Sequence, residues 1–373
     1  MQVVFIENGY SSKMSGGDVH AHQLANYLAV RGWEVHTVLP KGVFSNEYNA
    51  QIRLHSYQRF PFEEKIYKNT VVLFILYIFR IFLSIRILRN LKILKVVAIS
   101  HLFHDVVPLL FCGQEDCFVF VHHLIQEQDR KGLRGAITCF LEKISLSIIH
   151  QKNVKIITVS PQVTKQLCEV YRFKVDNIYQ STNAINATKG DAQVIVSDYD
   201  LVFCGRLHRT KGIFDIVDIL QKLKKDIPEI RCAIIGTGSD AVAFKELVKT
   251  EGLESNIFGL GFLSEEDKER VLRSSKVFFL PSHEEGWGIV IGEALALGLP
   301  AVVYKLPELE PVWKDAVSWV PCFDTVAYAA LLKKMLSDTV MRKRNSEYGM
   351  KYVKSFSSER VFTGESDFLN NTL

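Results

Sequence analysis

Apolar residues along the chain alternate between two patterns. Short, nearly unbroken runs such as Val3-Val4-Phe5-Ile6, Val96-Val97-Ala98-Ile99, Phe118-Val119-Phe120-Val121 and Ile156-Ile157-Thr158-Val159 read as strands buried on both faces. Leu201-Val202-Phe203-Cys204, Cys232-Ala233-Ile234-Ile235, Val277-Phe278-Phe279-Leu280 and Ala301-Val302-Val303-Tyr304 repeat the pattern in the second half. Stretches with helical spacing separate them: 19–30 (stopped at Gly32), 161–171, 213–224, 265–274, 308–312, 328–337 and 349–370, the last broken at Phe356-Ser357-Ser358. Strand alternating with helix predicts an α/β fold with parallel sheets. A length of 373 residues predicts two domains or a little more.

The second half is organised around one strand–loop–helix unit. Pro281 ends the strand at 277–280, and Gly286 and Gly288 let the backbone approach something closely. A helix then runs from about residue 288 to 297, where Gly298 and Pro300 stop it. Glu285 lies in the glycine loop. Glu293 lies five helical steps past residue 288, a rise of roughly 7 Å. Acids so separated cannot act on one bond as a close pair, but they can hold two ends of an elongated ligand. The helix N-terminus between them, with free N–H groups and a partial positive charge, favours phosphate. Hydroxyls at the ends and phosphate in the middle describe a nucleotide sugar. The bland alternative is a tight turn with one solvated acid and one acid on a helix face.

Composition changes this picture little. Hydrophobic content of 48% against 23% charge describes a globular chain, and a net charge of +4 is too small to imply nucleic acid. Seven scattered cysteines with no C-x-x-C favour reduced thiols in a cytoplasmic compartment. The N-terminus lacks the basic and long apolar segments of a signal peptide. Residues 63–97 stand apart. Residues 71–83 are nearly all apolar, broken by Arg80, and Arg86, Arg89, Lys92 and Lys95 follow. The run is shorter and more interrupted than the about 20 residues of a spanning helix. It fits a buried helix, or an interfacial helix with its apolar face in the lipid boundary and its cations on anionic head groups.

Candidate chemistry gathers at predicted strand ends, which line the crevice of an open α/β sheet. Gly16-Gly17 open the first helix and suit an anion. His101 and His104 follow the strand at 96–99, and His122 and His123 the strand at 118–121. An imidazole there can hydrogen-bond a sugar hydroxyl or phosphate, although such a histidine is often structural. Gly205-Arg206-Leu207 and Lys211-Gly212 follow the strand at 201–204, and both cations suit a diphosphate. Gly236-Thr237-Gly238 is a broken dinucleotide motif, since position 241 is Ala. Gly261-Phe262 end another strand. Asp198-Tyr199-Asp200 spells a metal–diphosphate signature, but it precedes its strand and so lies away from the crevice; it reads as a turn.

Pro281-Ser282, Glu285-Gly286-Trp287-Gly288 and Glu293-Ala294, with Gly205-Arg206-Leu207 and Lys211-Gly212, closely resemble the donor-site signature of family-four retaining glycosyltransferases of the GT-B fold (glycosyl transferases group 1). The resemblance implies two Rossmann-like domains facing across a cleft. An acceptor-binding domain would cover 1–180, with a C-terminal helix in 355–373 crossing back onto it, and a nucleotide-sugar domain would cover 185–354. The resemblance also implies that Glu285, rather than the wrongly spaced Glu284, faces the sugar hydroxyls and that Glu293 faces the ribose. Arg206 and Lys211 would face the diphosphate, and Gly16 and Gly17 the donor phosphates. His122, with His123 as fallback, would sit beside the sugar. Gly205, Gly236, Gly238, Phe262, Gly286, Trp287, Gly288 and Ile289 complete the implied donor site. Residues 178–186 resemble the interdomain crossing, with Ala184 where the family has glycine.

The expected activity is hexosyl transfer (EC 2.4) from a UDP- or GDP-sugar to a glycan or lipid-linked acceptor in polysaccharide biosynthesis, with no cofactor and no metal. The expected place is the cytoplasm or the inner face of an anionic membrane, reached through residues 63–97. A nucleotide-sugar epimerase or hydrolase of the same fold and a non-enzymic membrane-associated subunit are the alternatives. The broken glycine motif speaks against a nicotinamide oxidoreductase.

Overall fold

The computed structural model describes residues 1–9, 16–42, 48–59, 70–113, 116–124, 132–185 and 198–371. It divides into two compact units, Met1–Asn183 with Glu359–Leu373, and Ala184–Ser358.

The first unit is a seven-stranded parallel sheet: β1 (Gln2–Ile6), β2 (Glu34–Pro40), β3 (Arg53–Tyr57), β4 (Lys95–Ala98), β5 (Asp116–Val121), β6 (Lys155–Thr158) and β7 (Ile178–Gln180), in the order β3-β2-β1-β4-β5-β6-β7. Helices α1 (Gly16–Val30), α2 (Thr70–Leu91), α3 (Gly132–Gln151) and α4 (Pro161–Glu169) connect strands. Central β1 pairs Val4 with His36 of β2 and with Val96 of β4, and Val3, Val4, Phe5 and Ile6 are fully buried. A continuous apolar run is what a strand covered on both faces requires.

Three features differ from the sequence reading. The helix expected from residue 19 begins at Gly16, because Gly16-Gly17-Asp18 carry no apolar period although Asp18 suits a helix first turn. The sequence pattern marks no strand between the run at 156–159 and that at 201–204, yet β7 follows β6 and pairs parallel to it inside the expected crossing. β7 has only three residues at the sheet edge and none is fully buried, so it shows no apolar run. β3, another edge strand, buries only Tyr57. Residue 186 of the expected crossing, and residues 187–197 after it, lie outside the described residues.

The second unit is a six-stranded parallel sheet: β8 (Tyr199–Cys204), β9 (Cys232–Ile235), β10 (Ile257–Gly261), β11 (Ser275–Leu280), β12 (Ala301–Tyr304) and β13 (Ser318–Val320), in the order β10-β9-β8-β11-β12-β13. Its helices are α5 (Ile213–Lys224), α6 (Ala241–Thr250), α7 (Glu265–Arg273), α8 (Ile289–Ala296), α9 (Thr325–Ser337) and α10 (Thr339–Val353). α5 buries Ile213, Ile216, Val217, Ile219, Leu220 and Leu223, a one-sided stripe at helical spacing. Each such side chain contributes about 1.5–3 kcal/mol when fully buried. On α7, Ser264 caps the Asp267 amide, acids fill the first turn, and Arg270 and Arg273 fill the last, all matched to the helix dipole.

After a 3-10 turn at Lys354–Phe356, the last helix α11 (Ser358–Asn370) belongs almost wholly to the first unit. It buries Val361, Phe362, Leu369 and Glu365. Phe368 packs 5.9 Å from Phe118 and 5.1 Å from Tyr179, and Arg31 pairs with Glu359. The expected return of the C-terminal helix is therefore present. Among the described residues no helix is long and apolar enough to cross a membrane.

Candidate active site

In the second unit the strand order reverses between β8 and β11, which pair in parallel with Val277 beside Leu201. A crevice opens at such a switch, outside the C-terminal ends of the strands. Four neighbouring strands deliver predicted residues to this edge: β8 leads to Arg206 and Lys211, β11 to Glu285 and α8, β9 to Gly236 and Gly238, and β10 to Phe262.

Lys211 and Glu285, expected in separate roles, meet. The Lys211 Nζ donates to Glu285 Oε1 at 2.7 Å and to the Glu284 carbonyl at 2.9 Å, with the two side chains 16% and 14% exposed. The Glu284 side chain is exposed. Thr210 ties the same two loops together. Its carbonyl oxygen accepts from the N–H of His283 at 2.8 Å, the N–H of Glu284 at 3.2 Å and the Ser282 hydroxyl at 3.2 Å. Asp215, in the first turn of α5, lies 3.0 Å from His283 Nε2 and accepts from the Tyr304 hydroxyl at 2.8 Å. Arg206 is exposed and makes no ion pair among the described residues.

The glycines divide by cause. A Cβ on Gly212 (φ +66°) would overlap the Pro281 carbonyl, and Cβ atoms on Gly236 (φ +133°) and Gly238 would overlap the carbonyls of Gly205 and Leu207. Close packing of the three loops accounts for these glycines. Nothing lies within 4 Å of a Cβ on Gly286, so internal packing does not require glycine there. Gly288, left-handed at φ +76°, precedes α8, and no side chain caps that helix end. Only the Ile291 N–H turns back, to the Gly288 carbonyl at 2.9 Å. This end therefore offers N–H groups to an anion. Ile289, half-buried, is the first residue of the helix.

Trp287 is placed otherwise than the sequence suggested. Its ring is buried against Trp313 and Phe356, at 4.7 and 5.3 Å, and its carbonyl accepts from Trp313 Nε1 at 2.8 Å. An indole packed between aromatic rings belongs to the core, so only its N–H remains for a ligand. Glu293 lies 2.9 Å from Lys268 Nζ on α7, which also holds Glu265 at 2.7 Å. Burial works to lower the Lys268 pKa, but Glu293 and Glu265 outweigh it and push it up, so Lys268 stays charged. Phe262 is 84% exposed at the end of β10. Asp200 stands at the start of β8, where it accepts from the Arg231 N–H at 3.0 Å and pairs with Lys276 at 2.8 Å. The D-x-D stretch is thus committed at the far end of the strand.

In the first unit the order reverses between β1 and β4, and Gly16 and Gly17 open α1 after β1. A Cβ on Gly17 would lie 2.7 Å from His122 Cδ2, so glycine lets that ring rest against the start of the helix. His122 follows β5 and stacks on Phe120 at 5.6 Å. Burial first, then His20, His123 and His101, hold its pKa well below the usual value, so it is neutral near pH 7. The ring bonds the backbone of Ile99, and Nε2 is buried with no partner among the described residues. A desolvated nitrogen without a partner is costly unless a ligand supplies one. His101 and His104 are structural. His101 Nε2 lies 2.6 Å from buried Glu142, and His104 stacks on Tyr77 at 4.5 Å, its pKa pushed down to about 3 by burial and then by Arg80. His123 is exposed beside His101.

Two Rossmann-like parallel-sheet units, with the terminal helix returned to the first, make up the GT-B fold. Over 99% of its length the chain superposes on sucrose-phosphate synthase from Thermosynechococcus elongatus with a TM-score of 0.80 at 17% identity, covering 98% of that chain. HepE of Anabaena, solved in complex with UDP and glucose, gives a TM-score of 0.77 at 13% identity over 99% of both chains. Residues 188–352 match the model of the family described as Glycosyl transferases group 1. An uncharacterized glycosyltransferase of Methanocaldococcus jannaschii is 25% identical over 210 residues, 52% of this chain and 53% of the relative. The chain spans about half the length of that relative and of others it matches.

Proposed function

We propose that the chain transfers a sugar from a UDP- or GDP-linked donor to an acceptor hydroxyl with retention of anomeric configuration. The observation that carries this reading is the convergence of Arg206, the Lys211–Glu285 pair and the uncapped α8 N-terminus on the loops of β8 and β11. As the bond from the anomeric carbon to the diphosphate oxygen breaks, negative charge collects on the diphosphate. Donors already fixed in place stabilise that charge without reorganising. Arg206 offers a fork, Lys211 a point charge steadied by the Glu284 carbonyl, and α8 its free amides. These charges do what a divalent ion would do, so the reaction needs no metal.

Glu285 receives sugar hydroxyls, Glu293 steadied by Lys268 receives the ribose, and Phe262 offers a ring face to the base. In the first unit, the neutral His122 Nε2 suits a hydroxyl donor, and Gly16 and Gly17 suit an anion. The UDP and glucose bound by HepE support a UDP-sugar donor. Retention rests on the likeness of the motif. The acceptor is read as a glycan, lipid-linked or of the cell envelope, elaborated from the cytoplasmic side of a membrane, since α2 is basic and apolar together.

The test is product analysis by NMR across UDP- and GDP-sugars, with and without glycan or lipid-linked acceptors, in EDTA. The expected result is transfer with the donor's anomeric configuration kept. Epimerisation or hydrolysis as the sole activity, or transfer that stops in EDTA, overturns the reading.

A further inference from the structure

We propose that α2 docks the first unit onto an anionic lipid surface through an exposed apolar stripe that ends in arginines. This deepens the membrane part of the functional reading, and lipid alone reads it out. One side of α2 is buried: Leu73, Leu76 and Ile81 pack inward, and Arg80 and Ser84 lie among them. Arg80 donates to the carbonyls of Asn8 (2.8 Å) and Gly9, and Ser84 donates to Asn8 Oδ1 at 2.7 Å. The one cation inside the apolar run is therefore committed to the β1 loop.

The opposite side carries Phe74, Ile75, Ile78 and Phe82, which are 40, 56, 47 and 61% exposed. At 3.6 residues per turn these four fall within an arc of about 100°. Arg86 and Arg89, both exposed, continue the same arc toward the C-terminal end of α2, and exposed Lys92 follows. The Arg89 guanidinium lies 5.6 Å from the centroid of the exposed Phe111 ring, with exposed Leu110 beside it, so the patch runs past the helix. A water-facing helix side normally carries polar residues, and contiguous exposed apolar side chains mark a binding surface.

Charge selects the occupant. Three exposed cations, Arg86, Arg89 and Lys92, end the stripe, and between Glu64 and Asp105 the sequence carries no acid. An apolar stripe ended by arginines, on a helix not apolar enough to span, matches acyl chains bordered by anionic head groups. A second copy of the chain would bring the same cations to the patch and repel it.

The experiment is sedimentation of the full chain with vesicles of phosphatidylcholine alone and with about a third phosphatidylglycerol. The proposal expects binding to the anionic vesicles, loss of binding in high salt and little binding to the neutral ones. Ile78→Glu with Phe82→Glu, and separately Arg86→Glu with Arg89→Glu, should each lower the partition coefficient about tenfold or more. Far-UV circular dichroism and thermal unfolding check that each variant is folded. No binding of the wild-type chain at low salt, or variants that bind like it, overturns the proposal. So does a wild-type dimer that the apolar variant abolishes, which would assign the stripe to a second copy. Loss of nucleotide binding by the wild-type chain would instead overturn the proposed function and leave the vesicle result intact.

Discussion

Lys211→Met removes an ammonium held 2.7 Å from Glu285 and 2.9 Å from the Glu284 carbonyl. One charge-assisted contact to the diphosphate is worth about 1.5–3 kcal/mol. At 1.36 kcal/mol per tenfold, that alone lowers kcat/KM by about 10- to 150-fold. Glu285 also loses the partner that orients it, which carries the expected loss to about 10²- to 10³-fold, the scale of a deleted preorganised donor. The same change leaves a mostly buried carboxylate without its cation and destabilises the fold by about 1–3 kcal/mol. Adding Glu285→Gln relieves that charge. The double variant should therefore recover most of the lost stability while transfer stays low. Denaturant titration reads the stability of all four chains in the cycle, and initial rates over a donor range read the activity. Wild-type rates in Lys211→Met, or a double variant that regains transfer along with stability, refute the assigned roles.

Gly236→Ala sets a side chain at φ +133° against the Gly205 carbonyl and should cost about 2 kcal/mol or more in urea unfolding, with weaker nucleotide binding. Glu365→Ala breaks a fully buried hydrogen-bonded contact at 2.8 Å to His20 and should cost about 2–4 kcal/mol, read by thermal unfolding. His122 is held neutral, with a folded-state pKa below that of the unfolded chain. Its contribution is thus present above about pH 6.5 and lost as pH falls from there toward the folded value. His122→Asn should make the decline of stability below that pH shallower.

Much of the second unit is legible because glycines and prolines punctuate long, fully buried strands. The run at 277–280, the left-handed Gly288 and Gly298, and the amphipathic α5 each declare themselves within a dozen residues. What the pattern does not carry is contact between distant positions. Lys211 and Glu285 are 74 residues apart and meet because β8 and β11 pair in parallel at the switch point. Thr210, Asp215 and Lys268 sit on ordinary turns and helices, and nothing local marks them as ties to the candidate site. Trp287 follows the signature glycine, yet Trp313 and Phe356 draw its ring into the core. The edge strands β3 and β7 are half solvated, so no apolar run announces them.

Calorimetric titration of the folded chain with UDP, GDP, ADP and their sugar conjugates, in EDTA, tests the central claim most directly. The account predicts saturable binding of at least one of them, weakened about tenfold or more by Arg206→Ala. No uptake of any nucleotide by well-folded protein, or uptake only when a divalent ion is added, would contradict it.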